Sequence, residues 1–440
     1  MSQKATKIDL FSLRTPQMRA FHVSWLSFFF CFFSWFGVAP LMAIIRDEFG
    51  LTKAEVGNTI IASVAATVFA RLFVGSLCDR YGPRKTYSTL LFVGSIPVFL
   101  IALSTGYKSF LVLRLLIGCI GASFVITQYH TSIMFAPNVI GTANATTAGW
   151  GNMGGGATQF ILPMLFAMFM GFGFSESMSW RLCMVAAGTV CCIFGVIYYF
   201  TTQDTPAGNF SELQTHQAED DSEAKPGFFA AAGDHRVWLL FAAYAACFGM
   251  TLTFNNIAAL YFRDFFGLSL KTAGLVAALY GGMNLFARSL GGFLSDKFGM
   301  RWGLKGRVKF LMVALLAEGI LLMLFSRVTI LPLAIGSMIA FAISVQMSEG
   351  ATFSIVPFIN PKALGSVAGI VGSGGNVGAI LAGFLLREEG VSWPDALFIL
   401  GLIVCVLALV AGAVRFSHEA EAEVAAEIDK THALPEALPA

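Results

Sequence analysis

Divided at its charges, prolines and glycines, the chain falls into twelve apolar runs, each near the roughly 20 residues a helix needs to cross the hydrocarbon of a bilayer. They cover 21–43, 54–77, 86–105, 108–134, 141–170, 178–202, 235–262, 270–295, 310–326, 329–356, 362–386 and 392–415. Only helices and closed barrels satisfy every backbone group in lipid, and these runs are too long for barrel strands, so the pattern predicts twelve transmembrane helices. The polar stretch 1–20 reads as a lead-in and not a cleaved signal, because eleven more apolar runs follow the first. Between runs six and seven, 203–233 turns polar and acidic, with Glu219, Asp220, Asp221 and Glu223 beside Pro206 and Pro226. This predicts a flexible linker between two six-helix halves, 21–202 and 234–415. The tail, 416–440, is rich in Ala and Glu and reads as frayed helix or disordered chain.

Composition agrees: 56% of the 440 residues are hydrophobic and 12% charged, which excludes a soluble protein. The expected class is an all-α membrane protein. A net charge of +2 says nothing by itself about partners; no basic block suggests nucleic acid, and membrane lipid is the expected surround. The eight cysteines lie almost wholly inside apolar runs without metal-ligand spacing and read as small packing residues, so neither metal nor cofactor is expected. Arg80, Arg84 and Lys85 follow run two, and Lys297, Arg301, Lys305, Arg307 and Lys309 follow run eight, whereas opposite-side loops carry compensating acids, as at Arg46, Asp47 and Glu48 or Arg387, Glu388 and Glu389. This asymmetry puts both termini on the cytoplasmic side.

The two halves share a repeated stretch. RLFVGSLCDRYGPRK places Arg71, Gly75, Asp79, Gly82 and Arg84 at the offsets that Arg288, Gly292, Asp296, Gly299 and Arg301 occupy in RSLGGFLSDKFGMR, with Arg80 answered by Lys297. Each arginine lies inside its run, and the cluster after it ends the run at a membrane surface. Seven residues at about 1.5 Å each put the Arg71 backbone about 10 Å into a core about 30 Å thick, with the side chain leaning further toward the midplane. Arg288 reaches the same depth by the same count. The one acid in either run, Glu55, is about 24 Å of helix from Arg71. Two cations facing one cavity without a counter-charge describe an anion site. A guanidinium fork suits carboxylate, nitrate, nitrite or phosphate. The structural reading is that each arginine pairs with backbone carbonyls or snorkels.

Run five contains AGWGNMGGGATQF, with Gly149, Gly151, Gly154, Gly155 and Gly156, and run eleven answers with VGSGGNVGAI, with Gly372, Gly374, Gly375 and Gly378. Small residues four apart let helices approach closely. Each glycine stretch carries one amide, Asn152 or Asn376, about 16 and 21 Å from the start of its span. Such an amide either hydrogen-bonds between helices or coordinates an anion held by the arginines.

The paired G-x-x-x-D-[RK]-x-G-x-R segments, and Arg114 with Gly118 and Gly121, resemble motifs of the major facilitator superfamily. AGWGNMGGGATQF resembles the nitrate signature of its nitrate/nitrite porter family, and FVITQYHTSIMF and EGATFSIVPF are most similar to the high-affinity, plant-type branch. The resemblance implies the major facilitator fold, two pseudo-symmetric six-helix bundles that rock about a central nitrate. It implies further that Arg71 and Arg288 clamp the anion with Asn152, that Phe124 and Tyr244 match the aromatic positions of helices four and seven, and that Phe353 lines helix ten.

Nitrate entry against an inside-negative potential is uphill by about 2.3 kcal/mol per 100 mV, so either two or more protons accompany it or outgoing nitrite exchanges for it. The resemblance favours proton symport, as a monomer. The titratable candidates are His130, Glu318 and Glu349. Counting along their spans places His130 and Glu349 in the cytoplasmic third, as solvated or hydrogen-bonded structural groups, and Glu318 as a neutral or locally paired acid. A small-carboxylate carrier suits the arginines too. A nitrate sensor would need an output domain that neither linker nor tail can fold, and no nucleophile–base pair or phosphate loop points to an enzyme.

Overall fold

The computed structural model of the protein describes residues 3–212, 228–268, 270–387 and 390–433. The acidic residues 219–223 and Pro226 of the linker, Glu388 and Glu389, and the end of the tail lie outside the described residues. Ten helices among the described residues are long and apolar enough to cross a membrane. Two further units complete the twelve: span two, Lys53–Tyr81, and the stretch 270–301 of span eight, built from Leu270–Gly282, the 3-10 turn Met283–Leu285 and the start of Ala287–Arg327.

The long helix Ala287–Arg327 holds the rest of span eight and all of span nine, because non-helical backbone at Trp302 and at Gly303, φ +65°, breaks it. The polar run 304–309, expected to be loop, is helical and turns Leu304, Arg307 and Val308 inward. The other spans begin and end within a few residues of expectation. A short helix, Met42–Phe49, was not foreseen; Glu48 fastens it to span six (Glu176–Thr201), accepting hydrogen bonds from Trp180 at 2.6 Å and Ser177 at 2.9 Å and pairing with Arg181 at 2.7 Å.

The start of the linker is tied to span three by hydrogen bonds. The Asp204 carboxylate accepts hydrogen bonds from the backbone N–H of Arg84 (2.8 Å) and Phe210 (3.0 Å), capping span three, Pro83–Leu100, and Thr205 and Gly208 close a tight turn. A carboxylate at a helix N-terminus meets unpaired N–H groups and the positive end of the helix dipole. Gly82 is required there twice over: its φ is +82°, and a Cβ would stand 2.5 Å from the Asp204 carboxylate. In the tail, His418–Ala433 is helical, and Glu421 lies 3.7 Å from Lys305.

The halves meet along two crossings. Span two runs along span eleven (Leu364–Arg387), and span eight along span five (Ile140–Gly171). At the end nearer the linker both crossings close backbone to backbone: a Cβ on Gly75 or Gly365 would overlap the other's carbonyl, and one on Gly292 would overlap the carbonyl of Gly141. The repeated glycines thus act as contact surface between halves, not only within them.

Because overpacking costs about 1–3 kcal/mol, Gly75→Val and Gly292→Val should each wedge the linker end open. A spin-label pair on exposed Arg80 and Lys362 should lengthen in distance in both variants. An unchanged distance distribution would show that this close approach does not control the crossing.

Candidate functional site

Span four is Tyr107–Ile117, a 3-10 segment Gly118–Ala122, and Ser123–Met134. The tighter turn leaves carbonyls aimed sideways toward span two. Thr67 donates to Gly118 O at 2.8 Å and Arg71 Nε to Gly121 O at 3.3 Å, while Arg114 donates to Trp35 O at 2.9 Å. A Cβ at Gly121 would meet Thr67 and Trp35, so glycine gives the spans this approach.

Arg71 and Arg288 are both completely buried. The Arg71 guanidinium lies 5.1 Å from the centroid of Phe124 and 5.4 Å from that of Phe248; the Arg288 guanidinium lies 5.5 Å from the same Phe124 ring. Phe124 is stacked with Tyr244 (5.8 Å) and Phe248 (6.2 Å) and meets Phe353 edge-on at 4.7 Å. Arg288 Nη2 donates to the Tyr244 hydroxyl at 3.1 Å. One guanidinium from each half therefore sits at a shared aromatic ring. A cation over a desolvated ring gains about 2 kcal/mol, far below the cost of burying it, so hydrogen-bond partners must supply the rest.

The two arginines find those partners differently. Arg71 Nη1 donates to Gly372 O on span eleven, and its Nη2 has no hydrogen-bond partner. Arg288 Nη1 pairs with the Glu349 carboxylate of span ten, Leu331–Ile355. This corrects the expectation of two cations without a counter-charge. Spans eight and ten run in the same direction, with Arg288 less than one turn and Glu349 between one and two turns beyond the middle of their spans, and the side chains meet. Glu55, by contrast, is spent on the capping box with Thr52 that starts span two.

Neither amide group of Asn152 or Asn376 makes a hydrogen bond, so the helix–helix reading fails for both. Asn376 is fully buried one turn beyond Gly372, which accepts from Arg71. Asn152 is half-buried one turn beyond Gly149, where a Cβ would lie 3.4 Å from Arg288 Cβ. Gly151 and Gly154 give room to Phe28 and to the Phe29 backbone of span one, Pro16–Trp35, and Gly155 to Phe36; Gly156 has open space around it. Gly374 and Gly378 back onto the span-seven backbone at Phe241 and Ala245, and Gly375 makes room for Phe248.

His130 stands apart from this cluster, with Nδ1 bonded to the Tyr198 hydroxyl and Nε2 to Gln203 O at 2.8 Å. Glu318 is buried with neither oxygen hydrogen-bonded; Ser348, which faces it, spends its hydroxyl on Ser344 O. Sequence reasoning missed Phe248, four residues after Tyr244 and so on the same helical face, and missed Thr251, whose hydroxyl donates to Glu349 at 2.6 Å.

At the linker end the two repeated aspartates reach across the halves. Asp79 accepts from Gly365 N, Ser366 N and the Ser366 hydroxyl, at 2.9, 2.9 and 2.8 Å. Asp296 accepts from Gly141 N, Thr142 N and the Thr142 hydroxyl, at 3.0, 2.6 and 2.7 Å. Each carboxylate thus caps the first turn of a helix in the other half. Arg307 ties Asp296 at 2.6 Å and Pro137 O at 2.7 Å, and a Cβ on Gly299 would stand 2.6 Å from its Nε. Arg80, Arg84, Lys297 and Arg301 instead lie over the rings of Tyr81, Tyr199, Phe293 and Trp302.

The family model of the Major Facilitator Superfamily matches residues 24–383. "High affinity nitrate transporter 2.5" of Arabidopsis thaliana is 37% identical over 415 residues, covering 92% of this chain and 82% of its own. "Nitrate/nitrite transporter NrtP" of Picosynechococcus sp. is 30% identical over 448 residues, covering 82% and 83%. Among solved structures, the proton:xylose symporter XylE bound to 6-bromo-6-deoxy-D-glucose superposes with a TM-score of 0.66 at 14% identity, covering 89% of this chain and 94% of XylE. The human organic anion transporter MFSD10 gives 0.65 at 14%, covering 90% and 100%. At such identity these two attest to the fold alone. With its twelve spans and two crossed halves, the chain belongs to the major facilitator superfamily of multi-pass membrane transporters, in the family of these nitrate transporters.

Proposed function

We propose that the protein is a secondary active transporter that takes up nitrate, and nitrite beside it, across the cytoplasmic membrane by alternating access in symport with protons. The observation that carries this reading is the convergence of Arg71 and Arg288, one from each half, on the Phe124 ring. Nitrate is flat, weakly hydrated and permanently anionic. Planar forks of donors match its edges, and Phe124, Tyr244, Phe248 and Phe353 supply walls that exclude water. The unpartnered amides of Asn152 and Asn376 are the remaining donors on the spans that touch the arginines. The nitrate transporters among the relatives support the choice of substrate.

One chain supplies both arginines, so a monomer suffices. The basic residues of the linker end support a reading in which it, and both termini, face the cytoplasm. The division into halves at 21–202 and 234–415 makes Asp79 and Asp296 the paired latches of the cytoplasmic gate, with the glycine crossings as their seat. Release inward then requires both caps to break. Because one negative charge entering costs about 2.3 kcal/mol per 100 mV, at least two protons must accompany each nitrate for inward movement of net positive charge.

Arg71→Lys and Arg288→Lys should each lower labelled-nitrate counterflow by about 30- to 100-fold at equal protein density, the equivalent of about 2–3 kcal/mol for a lost charged fork; wild-type rates in both would remove the arginines from the site. In proteoliposomes free of internal nitrite, nitrate influx should acidify the lumen. Brisk nitrate/nitrite exchange without acidification would replace symport with antiport, and displacement of nitrate by formate at equal concentration would favour a carboxylate carrier.

A further inference from the structure

Glu349 is the one buried group in the cluster that couples a titratable charge directly to an arginine of the site. Its carboxylate holds Arg288 Nη1 with one oxygen and accepts the Thr251 hydroxyl at 2.6 Å with the other. Thr251 is itself 3.2 Å from the Tyr280 hydroxyl and accepts from Gln346 Nε2 at 3.4 Å. Hydroxyl hydrogens rotate, so this network serves either state of the acid: Thr251 donates to the carboxylate as seen, or accepts from the protonated acid while donating to Tyr280. A carboxyl locked in one state needs no such partner.

The asymmetry between the arginines points the same way. Arg71 has backbone carbonyls for partners and a free Nη2, whereas Arg288 gives Nη1 to one oxygen of a carboxylate, the kind of acceptor an oxyanion substrate imitates, and Nη2 to Tyr244, and keeps a free Nε. With the pair intact, an arriving anion meets the free Nη2 of Arg71 and, on Arg288, a negative charge already in place. The titratable groups facing Glu349 from the elements around it are Tyr244 and Cys247 of span seven, Tyr280 and Arg288 of span eight and Glu318 of span nine. Arg288 is the cation among them.

We propose that Glu349 and the transported anion compete for the Arg288 fork, so that the anion gains its second guanidinium only when Glu349 takes up a proton. This rests on the nitrate reading above and names the group that couples the proton to it. The proton comes from water on the extracytoplasmic side and forms one O–H bond on Glu349, whose link to Arg288 is released; Arg288 keeps its own protons throughout. After the halves rock, loss of nitrate to the cytoplasm frees the fork, and Glu349 gives its proton to cytoplasmic water and re-pairs. The returning site is thus electrically closed by its own carboxylate, which lets it reset without cargo. One proton per cycle is assigned here; Glu318, behind Glu349 and without a counter-charge, is the neighbouring acid.

The test is nitrate affinity against pH in purified full-length protein, together with nitrate accumulation in proteoliposomes under an imposed pH gradient. Wild-type affinity should tighten by up to about tenfold per pH unit of acidification through the range where Glu349 titrates. Glu349→Gln, a neutral amide that carries neither the charge nor the proton, should bind nitrate with no pH dependence and lose gradient-driven accumulation. A merely structural pair would weaken binding at every pH without flattening the profile. The proposal is overturned by a variant that still accumulates nitrate under the gradient, or by wild-type affinity that does not change with pH, a measurement independent of how the variant folds. Wild-type protein that binds no nitrate at any pH would sink the substrate assignment itself, and this coupling with it.

Discussion

Two guanidinium charges held out of water at the middle of a membrane protein set the terms for the rest of the structure. Their desolvation is costly enough that every neighbour is recruited to offset it: carbonyls exposed by the 3-10 turn of span four, a carbonyl of span eleven, the faces of Phe124 and Phe248, the Tyr244 hydroxyl and the Glu349 carboxylate. None of these contributions alone matches the cost of burial. An arrangement that leaves Arg71 Nη2, Arg288 Nε and two asparagine amides without partners is under-satisfied, which is the observation the proposed anion site rests on.

The second constraint lies at the linker end. Two carboxylates cap helix starts in the opposite half, and two glycine crossings let backbones touch beneath them. These interactions form only when the halves are together at this end, and they are many and short-ranged. Such contacts produce two-state behaviour, because a small separation loses all of them together. The buried cations at the centre and the carboxylate latches at the edge are joined by rigid helices: Arg71 and Asp79 share span two, and Arg288 and Asp296 share span eight. Each arginine and the aspartate of its repeat are therefore tied to one helix, so a displacement of one is carried to the other.

Much of this was legible in the residues. The apolar runs had the length of membrane helices, and the copy of Arg71 to Arg84 at Arg288 to Arg301 exposed the duplication and named the arginines. Tyr244, Phe124 and Phe353, singled out by the resemblance, pack together, with Phe124 beside both guanidinium groups and Tyr244 bonded to Arg288. What escaped was any partner brought by a span distant in sequence. Glu349 was read without its partner Arg288, Phe248 was lost among 43 phenylalanines although it sits one turn from Tyr244, and Arg307 was taken for loop although it is a buried helical partner of Asp296.

By itself, the sequence determined which segments cross the membrane, that they fall into two related halves, and that each half commits one permanent cation to the interior, because these follow from hydrophobic length and from local spacing. Only the tertiary structure decided that one cation is open and the other already bound to an acid. That outcome depends on where spans eight and ten meet in depth and rotation, which is set by helix packing across the bundle, and no local pattern of residues encodes it.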